Sequence, residues 1–144
     1  MIAFKRELTV PGVPADLSRI NEFIEDASEQ ARVDGAACFD LQLAIEEACA
    51  NVMEHAYAGQ GGAFTLTFQT SGRDVVITLR DHGRPFNPTA IGFTDLDRPL
   101  QDRPVGGMGL HLMHRLMDEV RFSFDYHGNT LVMVKRGISE PTDA

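Results

Sequence analysis

The sequence has 144 residues, enough for one domain that buries its core without disulfide or metal staples. Its 43% hydrophobic and 24% charged residues are those of an ordinary water-soluble globular chain. The formal net charge of −8 repels nucleic-acid phosphates and anionic membrane surfaces, which argues against a direct role on nucleic acid or membrane.

In chain order, Ile2, Phe4, Leu8 and Val10 alternate with polar neighbours as a half-buried strand, with Arg6 breaking the pattern and Pro11-Gly12 ending it. Pro14 suits a first helical turn. Leu17, Ile20, Phe23, Ile24, Ala27 and Ala31 then recur at helical spacing up to a stop at Asp34-Gly35. A second helix is predicted from about Ala37 to Ala58, closing at Gly59. Phe64, Leu66 and Phe68, then Val75, Ile77 and Leu79, mark two strands turning at Ser71-Gly72 and ending at Asp81. Residues 84–105 carry Pro85, Pro88, Pro99 and Pro104 and no periodicity, which predicts a long lid. Gly106-Gly107-Met108-Gly109 opens a third helix with Leu110, Met113, Leu116 and Met117 on its buried side. Two last strands flank a turn at His127-Gly128-Asn129, and residues 138–144 read as a frayed tail after a domain spanning 1–137.

This order predicts an α+β fold. We expect a two-layer sandwich whose five-stranded sheet is mixed but mostly antiparallel, with three helices on one face. The other face must be partly polar or covered by a partner. Cys38 and Cys49 lie on one predicted helix, which separates them by roughly 16 Å, too far for a disulfide. Reduced thiols, a start without signal-peptide character and no long uncharged apolar run give the expectation of a cytoplasmic protein.

The second helix carries the first candidate chemistry. Glu47, Asn51 and His55 follow at steps of four, beside the apolar face and next to the small Ala44 and Ala48. An amide oxygen at Asn51 suits Mg²⁺, and a carboxylate one turn away at Glu47 could accept a proton from an attacking hydroxyl. A solvated helix face explains the same stripe. Asp81, at a strand end, could accept from the exocyclic amine of adenine, with Gly83 letting the backbone approach the base closely. Plain turn chemistry also fits there. The glycines at 106, 107 and 109 precede free helical N–H groups that suit phosphate, although no Gly-Lys-Ser/Thr follows to make a Walker loop. A flexible hinge explains them as well. His111, His114 and Asp118 could form a zinc site, although the apolar face of that helix accounts for the two histidines too.

The strings Ala44-Ile-Glu-Glu-Ala-Cys-Ala-Asn-Val-Met-Glu-His-Ala-Tyr57, Asp81-His-Gly-Arg-Pro-Phe86, Gly106-Gly-Met-Gly-Leu-His-Leu-Met113 and Gly128-Asn-Thr-Leu-Val-Met-Val-Lys135 occur in one order. Together they resemble the GHKL (Bergerat-fold) superfamily over nearly the whole chain, and within it the anti-sigma factor serine/threonine kinases. The resemblance implies ATP and Mg²⁺ as cofactors. It implies Glu47 as catalytic base, Asn51 as Mg²⁺ ligand, and Asp81 as the adenine-reading residue beside Gly83 and Phe86. Gly106, Gly107, Met108 and Gly109 would hold phosphate, Thr130 would lie near the base, His55 would belong to the helix motif, and Arg103 would reach phosphate or a partner. The implied function is phosphorylation of a serine on a small anti-sigma-antagonist protein, with a sigma factor held or released by partner exchange, in a homodimer. The chain has no room for the dimerisation helix pair of a histidine kinase. A non-catalytic ATP-binding module that grips a regulatory partner is the alternative reading.

Overall fold

The computed structural model describes residues 2–86 and 107–140, and the side chains within 4–86 and 112–140. The elements are β1 (Ile2–Val10), a 3₁₀ turn (Pro14–Asp16), α1 (Leu17–Gln30), α2 (Gly35–Asn51), a π-helical segment (Val52–Ala56), β2 (Phe64–Ser71), β3 (Asp74–Asp81), α3 (Gly107–Leu116), β4 (Glu119–Asp125) and β5 (Gly128–Lys135). The five strands form one sheet in the order β1-β2-β3-β5-β4.

All four described strand pairings are antiparallel, so the expected mixed sheet is corrected to an antiparallel one. The reason lies in the connections. Tight turns join β2 to β3 and β4 to β5, and such turns permit only antiparallel neighbours. Between β1 and β2 the chain passes through two helices, an even number of crossings, and so re-enters the sheet in the opposite direction.

Alternation fixes which face is covered. Phe64, Leu66, Phe68, Val75, Ile77, Leu79, Leu131 and Met133 are buried and pack against Ile20, Ile24, Leu41, Ile45, Val52 and Met113 of the helical layer. The intervening residues Thr65, Thr67, Val76, Thr78 and Val132 are half-buried, giving the opposite face the partly polar character the sequence requires. Arg6, which breaks the pattern of β1, lays its guanidinium 4.3 Å from the centre of the Phe4 ring.

Three boundaries differ from the sequence expectation. Asp34 does not stop α1; it caps α2, accepting from the amide of Ala37 at 2.8 Å, while α1 ends at Gln30 and Arg32 takes a left-handed conformation. The second helix does not run on in α geometry past Asn51. Its turns widen, with the Tyr57 amide bonding to Val52 O at 3.2 Å and that of Gly59 to Met53 O at 2.8 Å. The tail is docked where it begins. Ile138 and Ser139 donate their amides to Arg73 O, and the buried Ser139 hydroxyl donates to Ala31 O at 2.7 Å.

Candidate functional site

Between α2, α3 and the β3-β5-β4 side of the sheet lies a cavity of about 380 Å³, within the roughly 300–1,000 Å³ usual for small-molecule sites. Ala48 and Asn51 wall it from α2, Val52 from the π-helical segment, Leu79 and Asp81 from β3, and Met113 and His114 from α3. Val120, Phe122 and Phe124 of β4, Asn129 and Leu131 of β5, and Phe86 complete the described wall. It is an apolar slot with three buried polar side chains in its wall.

Asp81 is the first of these. The last residue of β3, it is 1% exposed, so its carboxylate needs hydrogen-bond donors. Its Oδ1 has three: the Gly83 amide at 2.9 Å, the Asn129 amide at 3.3 Å and the Asn129 side-chain Nδ2 at 2.9 Å. Oδ2 has no hydrogen-bond partner among the described residues. Asn51 is the second. It is 5% exposed and walls the cavity, and its side chain makes no hydrogen bond among the described residues. Asn129 is the third, and sequence reasoning passed over it in favour of its neighbour.

Thr130 does not reach the cavity. Side chains on a strand alternate, so with Leu131 and Met133 buried in the core, Asn129 points inward and Thr130 outward. On the outer face the Thr130 hydroxyl accepts from Arg80 Nη1 at 2.8 Å. The alternation of β5 carried this signal.

The turn after β3 is stapled to the end of the second helix. Arg84 donates its amide to Ala56 O at 3.0 Å and its Nε to His55 O at 2.8 Å. The wider π turns leave these carbonyls without helical partners, and Arg84 supplies the donors. Gly83 serves this junction: a Cβ there would lie 2.5 Å from Ala56 O and 2.8 Å from Ala56 Cβ. Tyr57, also missed from the sequence, bridges the same region. Its hydroxyl accepts from the His82 amide at 2.8 Å and donates to Ala63 O at 2.6 Å.

His55 is half-buried outside the cavity wall, its ring 5.6 Å from that of Phe86, which in turn lies 5.4 Å from Phe122. Its Nε2 is buried without a partner among the described residues. Glu47 sits one turn before Asn51 but is not among the residues walling the cavity. Burial, reinforced by the charge of Glu46, pushes its carboxyl above the ordinary carboxylate value. Gly107, Met108 and Gly109 form the first turn of α3, whose free amides are those a phosphate would use. Arg103, Gly106 and all of the predicted lid from residue 87 onward lie outside the described residues. Of the zinc candidates, His114 walls the cavity and Asp118 is engaged by the Arg136 amide at 2.6 Å, while the side chain of His111 is not described. Among the described residues no helix is long and apolar enough to cross a membrane.

Comparison with known proteins gives this geometry a family. The serine-protein kinase RsbW of Bacillus mycoides (strain KBAB4) is 34% identical over 100 residues, covering 67% of this chain and 62% of that protein. RsbW of Halalkalibacterium halodurans is 38% identical over 100 residues, covering 67% and 60%. The chain thus spans about three-fifths of the length of these relatives. The crystal structure of the RsbU and RsbW domains of Rv1364c from Mycobacterium tuberculosis superposes with a TM-score of 0.65 at 17% identity, covering 96% of this chain and 34% of that one, and bears out the two-layer α+β fold. A family profile described as the histidine kinase-like ATPase domain matches residues 10–135, and the chain belongs to that family.

Proposed function

We propose that this domain binds Mg-ATP and transfers the γ-phosphoryl group to a serine hydroxyl of a partner protein, a small anti-sigma antagonist, and so governs a sigma factor by partner exchange in the cytoplasm. The observation that carries the reading is Asp81. It is a buried carboxylate in the wall of a cavity of about 380 Å³, with one oxygen held by three protein donors and the other without one among the described residues. The serine-protein kinase names of relatives at 34% and 38% identity support the transfer of phosphoryl to serine.

Each residue has a stated part. Asp81 Oδ2 accepts from the adenine amine. Leu79, Val52, Met113 and Leu131 supply the apolar faces for the base. Asn51 fits a hard cation: its side chain is buried against the cavity with no protein hydrogen bond among the described residues, and its amide oxygen is neutral. Mg²⁺, when bound, supplies charge neutralisation on the phosphates. The first turn of α3 directs backbone N–H groups at the phosphate chain. Glu47 takes the proton of the serine hydroxyl as its oxygen attacks the γ-phosphorus, the bond from that phosphorus to the bridging oxygen breaks, and ADP leaves. A carboxyl raised above its ordinary value is better matched to that task than a solvent-exposed one.

The alternative is a regulatory module that binds ATP without turning it over. Glu47→Gln tests both. A kinase loses phosphoryl transfer by about 10²–10⁴-fold while keeping its ATP affinity. Transfer that survives the change means that Glu47 is not the base. A wild type that binds ATP but phosphorylates no antagonist supports the module.

A further inference from the structure

We infer that Asn129 is the specificity-setting positioning residue of the base site: it makes Asp81 a carboxylate with one available acceptor and thereby selects purines bearing a 6-amino group over those bearing a 6-oxo group. The inference rests on the adenine reading of Asp81 and goes beyond it to a residue 48 positions away on another strand.

The side-chain amide of Asn129 has only one workable orientation. Its Oδ1 accepts from the Phe86 amide at 3.1 Å, and its Nδ2 donates both to Arg84 O at 3.0 Å and to Asp81 Oδ1 at 2.9 Å. Rotating the amide by half a turn would set an oxygen against two acceptors and an NH₂ against a donor, losing three bonds at once. The backbone of residues 84–86 therefore locks Asn129, and Asn129 locks Asp81. With three donors on Oδ1, the carboxylate cannot turn to offer that oxygen to a ligand. A ligand atom facing Oδ2 must then be a donor. The amine of adenine is one; the 6-oxo group of hypoxanthine or guanine brings lone pairs against lone pairs. Asn129 touches no reacting atom, so its part is positioning.

The test is calorimetry with Mg-ATP and Mg-ITP, which differ at the purine 6-substituent, on wild type, Asn129→Val and Asn129→Asp, with far-UV circular dichroism melts. Valine suits a strand and removes the donor; aspartate keeps the volume and replaces the Nδ2 donor on Asp81 Oδ1 with a second carboxylate oxygen. Wild type should prefer ATP by at least about ten-fold, a margin of one hydrogen bond. In Asn129→Val the ATP affinity should fall about ten-fold with ITP changed by less than about two-fold, and in Asn129→Asp the preference should shrink further. If either folded variant weakens ATP and ITP by the same factor, Asn129 is merely structural and the inference is overturned. If valine prevents folding, the isosteric aspartate variant decides. If wild type binds both nucleotides equally or neither, the adenine reading itself fails, an outcome separate from an unchanged ratio in the variants.

Discussion

Gly83→Ala probes the junction between the turn after β3 and the second helix. The added Cβ would lie 2.5 Å from Ala56 O, 2.8 Å from the Ala56 carbonyl carbon and 2.8 Å from Ala56 Cβ. Two of these obstacles are backbone atoms, so the turn must move by at least several tenths of an ångström. The movement strains the Arg84 amide bond to Ala56 O at 3.0 Å and the Arg84 Nε bond to His55 O at 2.8 Å. Overpacking of this kind costs about 1–3 kcal/mol, and loss of one hydrogen bond adds about 1 kcal/mol. The sum is about 2–4 kcal/mol, which at about 4 °C per kcal/mol for a chain of this size lowers Tm by about 8–16 °C. Asp81 Oδ1 also loses its Gly83 donor as the turn shifts, so ATP affinity should fall with stability. Thermal unfolding by circular dichroism and calorimetry with Mg-ATP read the two effects. A Tm within about 2 °C of wild type, with unchanged ATP binding, would falsify the claim that close backbone approach is why glycine stands there.

The other predictions concern single groups. Asp81→Asn should leave the fold intact, because the site keeps a polar side chain of the same shape, but should abolish measurable ATP heat in calorimetry; retained tight binding would mean that Oδ2 does not read the base. Because burial and Glu46 raise the carboxyl of Glu47, the acid limb of the kinase pH profile should lie above the range of an ordinary glutamate, and Glu46→Gln should move it toward lower pH. The same shift has a stability sign. A folded-state value above the unfolded one means that the contribution of Glu47 is fully present below the unfolded pKa and is lost as pH rises through the folded one, so Glu47→Gln should melt higher than wild type above that window and alike below it. Tyr57→Phe removes the acceptor for the His82 amide and the donor to Ala63 O, and should destabilise the chain by about 1–3 kcal/mol in chemical denaturation; a midpoint unchanged from wild type would show that water replaces both bonds.

Much of this was legible in the sequence, for identifiable reasons. The periods of two and 3.6 residues located all five strands and three helices, because burial on one face dictates them. Asn51 and Asp81 each had a bland explanation in the sequence, a solvated helix face and a plain turn, and only the joint order of the motifs singled them out; the structure sets both on one cavity. Thr130 misled because a family pattern was applied to the chain without the alternation of β5, which turns Thr130 outward and Asn129 inward. The role of Gly83 was illegible because it depends on the carbonyl of Ala56, which is brought near only by tertiary packing. The widening after Asn51 has no local signature either. It is stabilised by Arg84, a residue 28 positions beyond Ala56 in the chain.

The strand order also bears on how the molecule comes apart. The N-terminal elements end at β3, and the C-terminal ones, α3, β4 and β5, rejoin the sheet only along the β3–β5 seam, paired from Val75↔Lys135 to Arg80↔Thr130. Asp81 stands on one side of that seam and Asn129 on the other. On the proposed reading, a base held on Asp81 leans on a contact that joins two segments far apart in sequence, whose pairing closes a long loop at an entropic cost. If ATP binds there as proposed, its concentration sets thermal cohesion as well as occupancy: each ten-fold excess over Kd adds about 1.4 kcal/mol to the folded state. Proteases should find the seam open when ATP is scarce and shut when it is abundant.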